Sequence, residues 1–307
     1  MARGRIVVGQ EESLVVDSEW TKSLWVGMRP QQWVKNFFVL VPLLLSGKLF
    51  VVAATGRAIV AFFLFCLASS AVYLFNDIRD SEKDLLHPQK RRRPLAAGDL
   101  SSETALQAGV GLLLLSAIGA MMCGPTLTLI LCSYWLLNLL YSLWLKDCMI
   151  LDVLITAAGF VLRVVGGSVA IQAEMNTWLL ACAMLLATLL SFSKRRHEIL
   201  LLGEHAAAHR QVLAKYTPSF LDRMIKIAAA AAVASYVLYS MSAETLPESL
   251  PYGLLMTVPF VLYGVARYLS LVLSHNQGGD PTRLLLTDGP SQANLLLWTL
   301  TTGLILS

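Results

Sequence analysis

The sequence predicts an all-α protein, a polytopic membrane helix bundle of about nine transmembrane helices. Three observations carry that expectation. Of the 307 residues, 56% are hydrophobic and only 14% are charged, against about 25% charged in an ordinary soluble domain. Apolar stretches of about 17 to 23 residues recur along the chain, close to the roughly 20 needed to cross a bilayer as a helix. Basic residues gather in alternate loops, as the positive-inside rule requires.

The elements follow in order. Residues 1–17 are polar apart from Ile6–Val8 and read as a flexible cytoplasmic tail; residues 18–307 read as a single transmembrane catalytic domain. Glu11, Glu12, Asp17 and Glu19 leave no apolar core for a signal peptide in the first 20 residues, so none is expected. Trp20, Leu24, Trp25 and Met28 fall on one side of a helix lying at the interface, with Trp20, Trp25 and Trp33 as anchors. The expected spans are residues 34–50, 57–76, 104–122, 125–145, 149–171, 176–193, 224–242, 251–273 and 290–306. Pro42 and Pro259 fall inside two of them. The five cysteines (Cys66, Cys123, Cys132, Cys148 and Cys182) show neither metal-ligand spacing nor a disulfide framework and read as small core residues.

Charge orients the bundle. The loop 77–100 holds six Lys/Arg, and the loop 194–223 opens on Lys194, Arg195 and Arg196. The loops 123–125, 172–175 and 243–250 hold none, and only Lys48 and Arg57 break the pattern. The N-terminus and the large polar loops are therefore expected on the cytoplasmic side of a bacterial plasma membrane. A polar loop follows span two and another follows span six, a weak echo of two four-helix halves. No nucleic-acid partner is expected, and oligomeric state is not written in these residues.

The stretch Asn76–Asp84 is where chemistry is expected. Asp77, Asp80 and Asp84 stand at i, i+3 and i+7, which brings them onto one helical stripe. Three carboxylates on one stripe repel each other unless a hard cation is shared. Mg²⁺ takes one or two carboxylates and completes its shell with water and substrate phosphates. The alternative is a solvated charged loop neutralised by Arg79 and Lys83.

These residues also carry a resemblance. Asn76, Asp77, Asp80 and Asp84 match the NDxxDxxxD motif of the UbiA superfamily of intramembrane prenyltransferases. Tyr141, Ser142 and Lys146 resemble the YxxxK-type element of its fourth helix. Arg29, Pro30, Gln32, Trp33, Lys35 and Asn36 look like the decaprenyl-phosphate phosphoribosyltransferase branch. That resemblance implies a Mg²⁺-dependent pentosyltransferase. Its donor is phosphoribosyl pyrophosphate and its acceptor a polyprenyl (decaprenyl) phosphate; its lipid-linked product is a precursor of cell-wall arabinan.

One departure from the superfamily pattern is informative. Most members carry a second aspartate-rich motif after span six. This chain instead reads Ser191-Phe192-Ser193-Lys194-Arg195-Arg196-His197-Glu198, with Glu198 the only acid. Lysine and arginine in place of carboxylates convert a cation site into an anion site. A donor diphosphate, a sugar 5-phosphate and a lipid phosphate together need more positive charge than one prenyl diphosphate does. Asp77, Asp80 and Asp84 are then the catalytic metal ligands. Lys194, Arg195 and Lys146 are candidates for phosphate contacts, and Lys35 for the lipid phosphate. Asn36, Asn76, Tyr141, Asp152, Arg163 and Glu198 complete the expected substrate site. The attacking phosphate oxygen is already anionic at neutral pH, so no general base is required.

Each residue has a plainer reading beside it. Lys194–Arg196 also serve as a stop-transfer cluster, and Lys90–Arg93 read mainly as topology or headgroup contacts. Arg163, mid-span, meets either a buried partner or a substrate. Tyr141 is equally an interfacial-belt tyrosine. His205 and His209, at i and i+4, lack a third metal ligand nearby and read as a solvated face. Two other functions stay open: a prenyl group moved from its diphosphate to an aromatic acceptor, and a lipid or anion transporter.

Overall fold

A computed structural model describes residues 20–203, 206, 211–242 and 252–306. His205, His209, the loop 243–250 and the tail 1–17 lie outside the described residues. Every regular element among the described residues is helical. We label them α1 (residues 20–28), α2 (Val41–Leu45), α3 (Val52–Leu85), α4 (Pro94–Ala97), α5 (Ser102–Cys123), α6 (Pro125–Leu143), α7 (Leu151–Ala170), α8 (Thr177–Leu202), α9 (Pro218–Ser242), α10 (Val258–Leu273), α11 (Pro281–Thr287) and α12 (Gly289–Leu306).

Seven helices among the described residues are long and apolar enough to cross a membrane, two fewer than expected. They are α3, α5, α6, α7, α8, α9 and the stretch Gly253–Leu273 that ends in α10. The expected first span, 34–50, is not one helix. A 3-10 segment, Pro30–Val39, is followed by the five-residue α2. Pro42 explains the break: it has no N–H to donate, and its ring clashes with the carbonyl four residues earlier. Pro259 acts similarly, standing in the first turn of α10 after the 3-10 turn Gly253–Thr257. The expected last span is the 18-residue α12.

Two helices run well past their expected ends. α3 has 34 residues and α8 has 26. About 20 residues fill the apolar layer, at about 1.5 Å each. The surplus lifts Asn76–Leu85 and Lys194–Leu202 beyond it as continuous helix. The acidic stretch is therefore helical and not a loop. Helix starts are fixed by short polar side chains: Ser101 accepts from the Thr104 N–H, Asn176 from those of Trp178 and Leu179, and Asp280 from those of Thr282 and Arg283.

Packing runs in sequence order. α3 packs on α5, α5 on α6, α6 on α7, α7 on α8, α8 on α9, α9 on α10 and α10 on α12. The segment Pro30–Val39 lies between α3 and α7 and also touches α11. Small residues make that approach possible. Ala58, Ala61, Ala68 and Ala71 are buried along α3. A Cβ on Gly167 of α7 would stand 1.9 Å from the Val39 carbonyl oxygen, so only glycine fits there. Of the cysteines only Cys66 is buried; Cys123, Cys132 and Cys148 are exposed, which corrects their reading as core residues. The partly buried Trp33 donates its indole N–H to Ser70 Oγ at 3.0 Å, while Trp20 and Trp25 are exposed.

Candidate active site

The site begins on the overshooting end of α3. Asp77 is 1% exposed and its Oδ1 accepts from two guanidiniums, Arg29 Nη2 and, at 3.1 Å, Arg93 Nη1. The same Arg93 nitrogen reaches Asp84 Oδ2 at 2.5 Å. Asp80, with 31% of its side chain exposed, pairs with Lys146 at 2.8 Å. Asp77, Asp80 and Asp84 are thus on one stripe, each met by a cation from another segment. Asn76 accepts from the Ser142 hydroxyl, and Arg79 donates to the Ser142 and Leu143 carbonyls. Those two residues fasten α3 to the end of α6.

The carboxylates fit a shared metal better than a closed cage. No group of three or more metal-ligating side chains converges among the described residues. Yet Oδ2 of Asp77 is buried and has no hydrogen-bond partner. A buried, unpartnered carboxylate oxygen beside the half-exposed Asp80 is a hard-oxygen donor set. It suits Mg²⁺ completed by water and substrate phosphates.

The facing wall comes from α8 and α7, and its charge is arranged differently. Asp152, 0% exposed, accepts from Arg195 Nε at 2.6 Å and from the Tyr216 hydroxyl at 2.7 Å. Arg195 also donates to Glu198 at 2.7 Å and to the Tyr141 hydroxyl at 3.2 Å. Asp152, Arg195, Glu198 and Tyr141 therefore form one buried network, with Arg195 turned inward. Arg196 points the other way, to Asp222 at 2.5 Å and to Asn276 Oδ1 at 2.7 Å. Lys194 is exposed and makes no hydrogen bond or close ion pair among the described residues.

Arg163 has a fully structural set of partners: Asn36 Oδ1 at 2.7 Å, the Gly159 carbonyl at 2.8 Å and the Tyr134 hydroxyl at 2.9 Å. Its guanidinium also lies over the Tyr134 and Phe160 rings. Asn36 in turn donates to Ser69 Oγ and Cys66 Sγ. These two expected substrate contacts hold the Pro30–Val39 segment against α3, α6 and α7. Lys35, on that segment, is within electrostatic reach of Arg163, Arg29, Tyr141 and Asp280. Lys194 is within reach of Glu198, Lys35, Arg195 and Tyr141. Two lysines that make no close ion pair among the described residues thus share the end of the bundle with the aspartate stripe, Lys35 near Asp280 and Lys194 near Glu198.

Three residues escaped the sequence reading. Arg93 was expected to serve topology; it bridges Asp77 and Asp84 because Pro94 starts α4 directly after it and sets its direction. Arg29 has a left-handed backbone, φ 55° and ψ 60°, that aims it at Asp77. Asp280 approaches Lys35 because the loop before it lies against α8. A Cβ on Gly278 would come 2.7 Å from the Ser193 carbonyl oxygen. The Gly278-Gly279-Asp280-Pro281 run was the available signal, a close approach followed by a helix cap.

An intramembrane helix bundle with a carboxylate stripe and facing lysines at one end defines a class of membrane-embedded transferases. The UbiA prenyltransferase family profile matches residues 37–300, and the chain belongs to that family. The decaprenyl-phosphate phosphoribosyltransferase of Corynebacterium glutamicum is 34% identical over 276 residues, covering 88% of this chain and 82% of that one. The decaprenyl-phosphate phosphoribosyltransferase of Mycobacterium tuberculosis is 32% identical over 280 residues, covering 90% and 91%. In shape, the chain is similar to a UbiA homolog from Archaeoglobus fulgidus bound to GPP and Mg²⁺. Its TM-score is 0.71 at 18% identity, over 92% of this chain and 99% of that one. At that identity the likeness speaks for the fold.

Proposed function

We propose that the protein transfers 5-phosphoribose from phosphoribosyl pyrophosphate to a polyprenyl phosphate such as decaprenyl phosphate, releasing pyrophosphate. The carrying observation is the asymmetry of the two walls: carboxylates on α3, and on α8 the exposed Lys194 in place of an acidic motif. Relatives named for this activity at over 30% identity support the same reading. We place the reaction on the cytoplasmic face of a bacterial plasma membrane, where the basic loops belong by the positive-inside rule. The product is a precursor for cell-wall arabinan.

Asp77 and Asp80, with Asp84 behind them, are the residues that would hold Mg²⁺. Bound there, it would stabilise charge on the departing diphosphate. The remaining work falls to this chain's own side chains. Lys194 and Lys35 hold phosphate groups in register as point charges. The Asp152–Arg195–Glu198–Tyr141 network keeps the α8 wall in place. The acceptor's phosphate oxygen forms the bond to ribose C1 as the C1–O bond to pyrophosphate breaks. That oxygen is already ionised, so no residue need remove a proton. Positioning and electrostatic stabilisation carry the rate.

The test is direct. Membranes containing the protein are incubated with Mg²⁺, labelled phosphoribosyl pyrophosphate and decaprenyl phosphate. The expected result is a labelled lipid whose formation stops on chelation. No labelled lipid, together with consumption of a prenyl diphosphate when an aromatic acceptor is supplied, overturns the assignment.

A further inference from the structure

The ion pairs around α3 say more than which residues hold a metal, although the inference rests on the proposed Asp77–Asp80 site. Arg29 and Arg93 both donate to the same atom, Oδ1 of Asp77. Arg93 and Lys146 also cover Asp84 and Asp80. Three carboxylates thus face three paired cations, with Lys90 also near Asp84, and the cluster has no net negative charge. A divalent cation gains little Coulomb attraction from a balanced cluster, and it competes with two guanidiniums for one of the oxygens it needs.

Two features show that this arrangement is poised to change. Oδ2 of Asp77 is buried with no partner among the described residues, an arrangement that costs free energy until a partner arrives. Arg29 holds a left-handed backbone that a non-glycine residue rarely adopts, a kind of strain that collects at switch regions. The guanidiniums are also open to solvent on one side, although Arg29 lies over the Tyr73 ring. The side chains of Arg29 and Arg93 are 23% and 27% exposed, unlike the carboxylate of Asp77 beneath them.

We propose that Arg29 and Arg93 form an exchangeable latch. They neutralise Asp77 and Asp84 until a divalent cation and a diphosphate arrive together. They then yield carboxylate oxygens to the cation and take diphosphate oxygens, which suit their forked donors. Cation and diphosphate therefore bind as a unit, each weakly alone. Arg29 and Arg93 are diphosphate ligands that also set the order of assembly.

The experiment uses the full chain in detergent and Mn²⁺ as a paramagnetic probe, titrated with and without inorganic pyrophosphate. Free Mn²⁺–pyrophosphate complex is subtracted from a protein-free titration. In the wild type, pyrophosphate is expected to tighten Mn²⁺ binding by about tenfold or more, and Mn²⁺ to tighten pyrophosphate equally. Arg93→Gln is expected to bind Mn²⁺ alone about tenfold tighter than wild type, because a competing charge is gone, and to lose most of the pyrophosphate effect. Arg29→Gln should move both quantities in the same direction and carries the test if Arg93→Gln fails to fold. Wild-type binding of Mn²⁺ indifferent to pyrophosphate overturns the latch, as does weaker Mn²⁺ binding in a folded arginine variant. Coupling to pyrophosphate but not to phosphoribosyl pyrophosphate supports the latch while sinking the donor proposed above.

Discussion

The ends of α3 and α8 are built alike and charged oppositely. Each is the surplus of a helix longer than the apolar layer, and each carries three or more ionisable groups within two or three turns. On α3 the partners are cations from other segments, and the pairs are partly open to solvent. On α8 the central pair, Arg195 with Asp152, is sealed, and only Lys194 is left outward. The α3 end has exchangeable partners, as a site that must release and rebind charge requires. The α8 end is a fixed scaffold that presents one ammonium. Equal charge density therefore does different work, decided by burial.

The sharpest way to break that comparison is at Asp77. Replacing it by asparagine removes the carboxylate with the unpartnered buried oxygen. Metal-dependent turnover is expected to fall on the order of 10³-fold, the scale of losing one preorganised electrostatic contact. Membrane insertion and the helical signal should be unchanged. Near wild-type turnover in Asp77→Asn would remove the metal role from α3.

Next in size is the scaffold. Asp152→Asn leaves Arg195 buried with one of its two counter-charges gone. Breaking a buried pair from one side costs roughly 3–5 kcal/mol, here at the lower end because Glu198 still accepts from Arg195. The melting temperature in detergent should drop clearly. Replacing both partners, as Asp152→Asn with Arg195→Met, should recover most of the loss. If the single variant melts like wild type, the α8 wall is not held by this pair.

How much of this contrast was legible in the sequence follows from the same physics. The aspartate spacing was readable because helical periodicity is local: i, i+3 and i+7 fix a stripe whatever surrounds it. Helix existence was readable for seven spans because apolar length is local too. The break in span one was flagged only by Pro42, since hydropathy does not register a 3-10 turn. Arg29 and Arg93 were not assigned as partners of Asp77. They lie 48 and 16 residues away from it, and nothing local says where a loop arginine will aim. For Arg195 and Arg163 the charge is visible in the sequence, but the buried partners that hold them, Asp152 and Glu198 for Arg195 and Asn36 and Tyr134 for Arg163, are not. Lys194 and Arg195 are neighbours in sequence, yet a helical step of about 100° sends one outward and the other into the network.

That step sets the third prediction. Lys194→Gln should leave the melting temperature within error of wild type, since it breaks no hydrogen bond among the described residues. It should lower kcat/KM about 10- to 100-fold, as expected for losing a charged hydrogen bond to a phosphate, about 1.5–3 kcal/mol. A rise in KM for the lipid phosphate with kcat kept would place Lys194 in ground-state binding of the acceptor. Stability lost together with activity would make it part of the scaffold instead.

The smallest effect belongs to the outer pair of the same helix, Arg196 with Asp222. Asp222 has 35% of its side chain exposed, so water already solvates much of its charge. Arg196 keeps hydrogen bonds to the Val272 carbonyl and Asn276 Oδ1 when the carboxylate is removed. Partly exposed ion pairs contribute about 0–1 kcal/mol. Asp222→Asn should therefore shift the melting temperature only slightly, and less at high salt, where the pair is screened. It should leave turnover unchanged, because Arg196 faces α9 and the loop after α10 and not the Lys194 side. A large activity loss in a stable Asp222→Asn protein would mean that the loop from Ser274 to Asp280, held by Arg196 through Asn276, sets the position of Asp280 over Lys35. The separation of a working face and a holding face on α8 would then fail at its outer edge.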